Sequence, residues 1–331
     1  MRPSWTGCSM TERDLLAADS IAARAADAAR FVAAVIVTYN CYTPIEQTIL
    51  AVANQVGRVI IVDNGSEPEA LNTIRSAIDH NRPQSCEFLP QDRNLGIGAA
   101  LNVGVRAALA AGAEYVLTLD DDTEILPGAV AELVRCYMDH KGQHVGIVGA
   151  RWITPNTFPE ISCGEEDAAR SVEQLSSAGC LIRREAFESV GMFREDYFLD
   201  YTDYEYCARV IGAGWQVLTC PTATVFQRRG DVVLRPFFGR TVRVTNYPAE
   251  RLFLLCRNGF VLYLWERRSG RQLRQHCLAV AVTLVKSILY EREKLRKISA
   301  IIRGSVQGLL GHLGPPSRRD GDHRIRRLDR K

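Results

Sequence analysis

Ten cysteines are scattered along the chain, and no two of them form a C-x-x-C pair. That pattern excludes a zinc cluster of the usual spacing and a disulfide scaffold, and it fits a reducing compartment. An apolar leader is also lacking. Thr11 to Arg30 alternates Ala with Asp, Glu and Arg, so it has no h-region and is too acidic for a transit peptide. The stretch reads as an extra helix or a frayed extension, with Met10 a second candidate start beside Met1. No apolar run reaches the roughly 20 residues of a membrane-spanning helix. The longest, Cys277 to Leu289, is too short and contains Lys286. There is no internal repeat.

What is present is the composition of an ordinary soluble protein, 331 residues with 47% hydrophobic and 24% charged content. This is enough for one large domain or two smaller ones. The net charge of +3 conceals an asymmetry: Glu266 to Arg303 holds ten Lys/Arg against three Glu, and Pro315 to Lys331 holds seven against three Asp. Such a basic, partly amphipathic end suits anionic lipid headgroups. It equally suits a solvated helix face followed by a disordered tail.

Phe31 to Val37 is a continuous apolar run and predicts a buried strand, followed by Thr38-Tyr39-Asn40. A helix is expected over Pro44 to Asn54, a second strand over Arg58 to Val62 and a helix over Glu67 to His80. A strand from Cys86 to Leu89 and a helix from Ala99 to Ala110 follow. The apolar run Tyr115 to Leu119 then delivers Asp120-Asp121-Asp122. Strands alternating with helices imply βαβ units and a mostly parallel sheet. A helix over Gly128 to His140 and a strand over Val145 to Gly149 extend it. Arg151 to Glu173 reads as loop, Gly179 to Ile182 as strand and Arg184 to Val190 as helix, and beyond about Thr245 the pattern is helical and basic.

Three adjacent carboxylates repel one another unless water or a cation neutralises them. At a strand's carboxyl end, where open α/β sheets bind ligands, they suit a hard divalent cation shared with phosphates. A solvated turn capping the next helix is the competing reading. Asp63 ends the second strand, placed to accept an imide N–H or ribose hydroxyls, or simply to close an Asp-Asn-Gly-Ser turn. Asn94 to Gly104 sets glycines before and inside a helix, with N-terminal N–H groups open to a phosphate. A dinucleotide fingerprint is weak there: Gly96-x-Gly98 is followed by Leu101, and the first strand ends without a glycine. Thr38 to Pro44 has neither Gly nor a basic residue, which counts against a nucleotidyltransferase loop. In Asp200 to Glu205, Asp203 and Glu205 diverge on a helix, which leaves one for a pocket and the other for Arg209. A desolvated carboxylate beside an aromatic wall is a candidate general base; a helix cap with salt bridges is the alternative.

The ordered set Thr38-Tyr39-Asn40, Asp63-Asn64-Gly65-Ser66, Asn94-Leu95-Gly96 with Asn102-x-Gly104, Asp120-Asp121-Asp122, Ser177-Ala178-Gly179-Cys180 and Asp203 to Arg209 resembles glycosyltransferase family 2. Its rhamnosyltransferase-like branch is the nearest match, also through Arg251-Leu252-Phe253 and Arg257-Asn258. The resemblance spans Val32 to Asn258, about two thirds of the chain.

The resemblance implies a GT-A fold, a mostly parallel central sheet flanked by helices with a C-terminal helical segment. It divides the chain into an extension (1–30), a catalytic domain (31–245), a helical segment (246–313) and a basic disordered tail (314–331). It implies inverting sugar transfer, rhamnose among the candidates, from a nucleotide-diphosphate donor to a hydroxyl in polysaccharide or glycolipid biosynthesis. The donor side comprises Thr38, Tyr39, Asn40, Asp63, Asn64, Asn94, Gly96, Asn102, Asp120 and Asp121. Mg²⁺ or Mn²⁺ falls to Asp122 and Asp120 with Gln227, the base is Asp203, and Asp200, Tyr201 and Glu205 lie on the acceptor side.

The expected partners are a dTDP- or UDP-linked sugar and a hydroxyl acceptor, lipid-linked in one form, with no nucleic acid. The expected location is cytoplasmic, with a peripheral position on the inner face of the plasma membrane as the alternative. Two departures stand out: Thr202 where members often carry Glu, and Gln227 where many carry His. They keep a non-catalytic nucleotide-sugar-binding relative in play, and they open the diphosphate to Arg228 or Arg229.

Overall fold

A computed structural model of the protein describes residues 24–25, 27–41, 45–81, 85–140, 142–154, 168–228, 233–237 and 240–314. Most of the expected N-terminal extension, part of the 151–173 loop, Arg229 and the tail beyond 314 lie outside the described residues. The first strand, β1 (Val32–Thr38), is buried along its whole length, which is why it reads as an unbroken apolar run. It pairs in parallel with β2 (Arg58–Asp63) on one side and with β4 (Tyr115–Asp120) on the other; β2 pairs in parallel with β3 (Cys86–Pro90). The crossovers are α1 (Ile45–Ala53), α2 (Pro68–Asn81) and α3 (Ile97–Ala110).

Beyond β4 the sheet becomes mixed. After β5 (Thr123–Ile125) and α4 (Ala129–Asp139), β6 (Val145–Ile153) runs past Gly149 into the stretch expected as loop, and a short β7 (Arg170–Ser171) follows. Then β8 (Cys180–Arg183) enters antiparallel between β4 and β6. After α5 (Arg184–Val190) and α6 (Thr202–Gly212), β9 (Gln216–Gln227) pairs in parallel with β6 and antiparallel with β5. The order among the described residues is β3-β2-β1-β4-β8-β6-β9-β5, with β7 against β9. The sheet is coated on both faces. Ala34, Ile36, Ile61 and Leu119 pack to one side with Ile49 and Leu133, and Val35, Val37, Ile60 and Val62 to the other with Val105 and Tyr206.

The remaining elements are a hairpin, β10 (Val233–Phe237) with β11 (Arg240–Val244), and three helices. They are α7 (Ala249–Phe260), continuing as a π-helical stretch over Val261–Glu266, then α8 (Gly270–Leu289) and α9 (Lys294–Leu309). Helix α9 lies directly on α7. A Cβ at Gly304 would come within 2.3 Å of the Phe253 carbonyl oxygen, and one at Gly308 within 2.5 Å of that of Arg257. Only glycine permits that approach.

Parallel register sets the ends of the strands. Thr38 stands opposite Asp63, and Val37 opposite Asp120, so these carboxylates share one edge of the sheet. Thr123 stands opposite Gln227, which brings the end of β9 to the same place.

Candidate active site

At the β1–β2 end, Asp63 has no accessible surface. It accepts from Thr38 Oγ1 at 2.9 Å, from the Ser66 N–H at 2.8 Å, and from the Ser66 hydroxyl. Asn40, at φ 48°, accepts from the Glu67 N–H at 2.8 Å and ties the two strand ends together. Asn64 donates to Asn94 Oδ1 at 3.0 Å and accepts from the Leu95 N–H at 2.9 Å, which locks the third strand's loop to the second's. Thr38, Asn40, Asp63, Asn64 and Asn94 are thus brought together as one hydrogen-bonded floor. Contact between Asp63 and a nucleoside requires Ser66 to turn aside.

The three aspartates do not point the same way. Asp121 accepts from the Tyr39 N–H and the Cys41 thiol, so it turns toward β1. Its own backbone carbonyl accepts from Thr48 Oγ1 at 3.0 Å. Asp120 and Asp122 turn toward Gln227, whose Nε2 lies 3.4 Å from Asp120 Oδ2 and 3.3 Å from Asp122 Oδ1. Burial, reinforced by Asp122, Asp121 and Asp203, pushes the Asp120 carboxyl up to about 7, opposed by Arg251. Burial and Asp122 push Asp121 to about 7 as well.

Two half-buried carboxylates beside an amide are an all-oxygen donor set once the amide rotates to present its carbonyl. Among the described residues no group of three or more His, Cys, Asp or Glu could hold a metal ion. The set therefore fits a hard cation that completes its shell from a diphosphate and water, as Mg²⁺ commonly does.

Asp203 opens α6. Its Oδ2 accepts from the Ser177 N–H at 3.2 Å and its Oδ1 from the Tyr204 N–H at 2.9 Å. Burial raises it to about 6 despite those two bonds. The preceding loop is strained: Phe198, Asp200 and Tyr201 all have positive φ, at 65°, 58° and 65°. Each such residue costs of order 1–3 kcal/mol unless the surroundings enforce it. Asn258 does so, donating to the carbonyls of Tyr197, Leu199 and Asp200 at 2.9, 2.7 and 3.1 Å. Arg257 adds a bond to the Tyr197 carbonyl at 3.3 Å. Tyr201 hydrogen-bonds His276 Nδ1 at 3.0 Å and packs edge-on against Tyr204 and Tyr263, an aromatic wall beside the carboxylate.

Three of the expected site residues make other contacts in the structure. Asn102 does not reach the strand edge: its amide donates to the Phe193 carbonyl at 2.8 Å and Glu195 at 2.9 Å and accepts from the Phe193 N–H, bracing α3 against the loop after α5. Gly96 does not present α3 to a phosphate, because the Phe198 carbonyl fills that position, taking the Ile97 N–H at 2.7 Å. A Cβ at Gly96 would come within 2.6 Å of the same oxygen. Glu205 is not exposed on the acceptor side. It is buried and held by Arg209 at 2.6 and 2.9 Å, the partner that helical divergence from Asp203 favours. Thr202 is buried with its hydroxyl unpartnered, its methyl packed toward Gly98. Arg228 pairs with Glu124 and Gln47.

The cation that the sequence left unassigned is Arg251. It binds Asp200 at 2.9 and 3.2 Å, stacks 4.2 Å from the Tyr247 ring centroid and lowers the Asp120 carboxyl. Its signal was present in the Arg251-Leu252-Phe253 match, without a role attached. A cleft of about 360 Å³ lined by Tyr115, Tyr137 and Arg183 opens at the start of β4, the end opposite the aspartates, and is separate from this constellation.

Residues 33–161 match the family model described as glycosyl transferase family 2. The match covers less than half of the chain. Among curated relatives, the chain is 26% identical over 299 residues to the dTDP-rhamnosyl transferase RfbF of Shigella flexneri, covering 85% of this chain and 96% of the relative. It is 25% identical over 311 residues to the N-acetylglucosaminyl-diphospho-decaprenol L-rhamnosyltransferase of Mycobacterium tuberculosis, covering 81% and 96%. Its fold superposes on the mannosyltransferase PcManGT from Pyrobaculum calidifontis, solved with GDP-Man and Mn²⁺. The TM-score is 0.53 at 15% identity, covering 89% of this chain and 96% of that one. That likeness establishes the GT-A fold of the chain.

Proposed function

We propose that the chain is an inverting glycosyltransferase that moves rhamnose, or a closely related hexose, from a dTDP- or UDP-linked donor to a hydroxyl of a lipid-linked acceptor. The observation that carries the mechanism is the nearness of Asp203 to the paired Asp120 and Asp122: the charge of Asp203 is felt at Asp120, and burial raises Asp203 to about 6. The rhamnosyl preference and the lipid-linked acceptor are supported by the relatives named above.

In this reading the floor that includes Thr38, Asn40 and Asp63, with Tyr39 beside it, receives the nucleoside. Asp120, Asp122 and Gln227 would hold Mg²⁺ or Mn²⁺, which would supply Lewis-acid neutralisation of the diphosphate. Arg251 adds a fixed positive charge on the same side. Asp203 accepts the proton of the acceptor hydroxyl, and the freed oxygen attacks the anomeric carbon. The bond to the diphosphate breaks on the opposite face, which inverts the centre. A carboxylate with a pKa near 6 is ionised at neutral pH yet basic enough for this work. Ser177 and Tyr204 N–H groups orient it, and the aromatic wall limits water.

The test is a thermal-shift panel of nucleoside diphosphates with and without Mn²⁺, followed by transfer assays of Asp203→Asn. The expected result is a metal-dependent shift, largest for dTDP or UDP, and a variant that binds donor but transfers nothing. A wild-type protein that binds donor and transfers to no hydroxyl acceptor points instead to a non-catalytic relative.

A further inference from the structure

Helices α8 and α9 leave much of the exposed large apolar surface of the molecule in water. On α8, Leu278 (66% exposed), Val282, Val285 and Leu289 recur at helical spacing; on α9, Leu295 (84%), Ile302 (53%), Val306 and Leu309 do the same. Each set forms one stripe. The opposite faces are buried, through Gln272, His276 and Ser287 on α8 and through Ala300, Ile301, Gly304 and Gly308 on α9. Both helices pack on α7 and on each other and are joined by the short turn at 290–293, so each stripe lies on the face turned away from this packing. Stripes of this length exceed the scattered apolar residues that a protein surface normally carries.

The charge around the stripes decides what covers them. Between residues 267 and 314 there are ten Lys/Arg and two Glu. Both carboxylates are already paired, Glu291 with Lys297 at 2.6 Å and Glu293 with Arg296 at 3.3 Å. Arg274, Arg292, Lys294 and Arg303 are exposed along the same helices. A second copy of the chain, packed face to face, would set these cations against their own kind. An anionic lipid surface offers the apolar layer for the stripes and the opposite charge for their borders. No helix among the described residues is long and apolar enough to cross a membrane, so the contact is with the surface.

We propose that α8 and α9 dock flat on an anionic bilayer. The first turn of α7 carries Arg251, which binds Asp200, so the helix that supports the docking face also reaches the candidate active site. Docking would present a lipid-linked hydroxyl to Asp203. That last step rests on the acceptor reading above; the docking does not.

The experiment is co-sedimentation of the full chain with phosphatidylcholine vesicles, with and without about 30 mol% phosphatidylglycerol, at low and high salt. Anionic vesicles are expected to bind at least about tenfold more protein, with salt releasing it. Val285→Glu with Ile302→Glu should lose at least about tenfold in binding. Those side chains point outward, so far-UV circular dichroism and the nucleotide-dependent thermal shift should be unchanged. Equal sedimentation of wild type and variant, or no enrichment on anionic vesicles, overturns the proposal. So does a wild-type dimer that the variant converts to monomer without any vesicle effect, because a second copy would then cover the face. Anionic vesicle binding without sugar transfer leaves docking in place and removes only the acceptor reading.

Discussion

Arg251 grips Asp200 with two nitrogens, Nη2 2.9 Å from Oδ1 and Nε 3.2 Å from Oδ2, while its charge lowers the carboxyl of Asp120. A guanidinium held in this fork by one carboxylate is a fixed charge that needs no reorganisation when a diphosphate arrives. Arg251→Ala is expected to lower kcat/KM about 10²-fold and to raise the donor KM. Arg251→Lys should recover little, since a lysine cannot reproduce the fork. Steady-state transfer assays check this, and an alanine variant with wild-type kcat/KM removes Arg251 from the site.

Asp203 sets the acid limb of the pH profile. As a base it works ionised, so kcat/KM should fall about tenfold per unit below its raised value, which lies at about 6. Asp203→Asn should cost about 10²- to 10⁴-fold in transfer. Its linkage to stability has the opposite sense. A carboxyl raised above its unfolded value stabilises fully below the ordinary range and loses that contribution as pH rises through about 6. The ligand-free Asn variant should therefore lose less stability than wild type between pH 4 and 7, by about 2–3 kcal/mol at most. Denaturant titrations across that range read the difference directly.

Gln227 now donates toward both Asp120 and Asp122. Gln227→His replaces an amide with a better ligand and should tighten Mn²⁺ binding in the presence of dTDP or UDP by about tenfold or more. Gln227→Ala should weaken it. Asp122→Ala should abolish the metal-dependent part of the nucleotide thermal shift while leaving any metal-independent part. A shift that survives the Asp122 change argues that the cation sits elsewhere.

Asn258 carries a structural burden with a catalytic consequence. Asn258→Leu would strip the Leu199 and Asp200 carbonyls of the amide donor, leave the Tyr197 carbonyl to Arg257, and release the positive-φ loop before Asp203. The expected loss is about 3 kcal/mol of stability, from chemical unfolding. In the fraction that remains folded, kcat should fall further than the donor affinity, because the loop positions the base and not the nucleotide. Equal losses in both would mean that the loop shapes the donor site too.

The strand ends were legible because a doubly buried parallel strand leaves an apolar run that stops abruptly at a polar residue, as at Thr38, Asp63 and Asp120. The divergence of Asp203 from Glu205 was legible for the same kind of local reason, helix periodicity. What was not legible depends on distant pairing. Nothing near Cys180 signals that β8 reverses and inserts between β4 and β6. Gly96 and Asn102 carry a motif that suggests ligand contact, but a loop from far along the chain, at Phe193 and Phe198, fills the space. The left-handed backbone at Phe198, Asp200 and Tyr201 has no glycine to announce it, since Asn258 enforces it from another helix.

Strand β4 is a seam. On one flank it bonds a parallel array ending in Thr38 and Asp63; on the other it bonds the reversed β8, beyond which come the segments that carry Asp203, Gln227 and Arg251. On the proposed roles, recognition of the nucleoside is built upstream of this strand, while the downstream segments bring the base and the groups that face the diphosphate. Evolution can then rewrite the later half to suit a new recipient while the earlier half keeps its nucleotide. An engineered chimera joined within the sequence between β4 and β8 would inherit one preference from each parent.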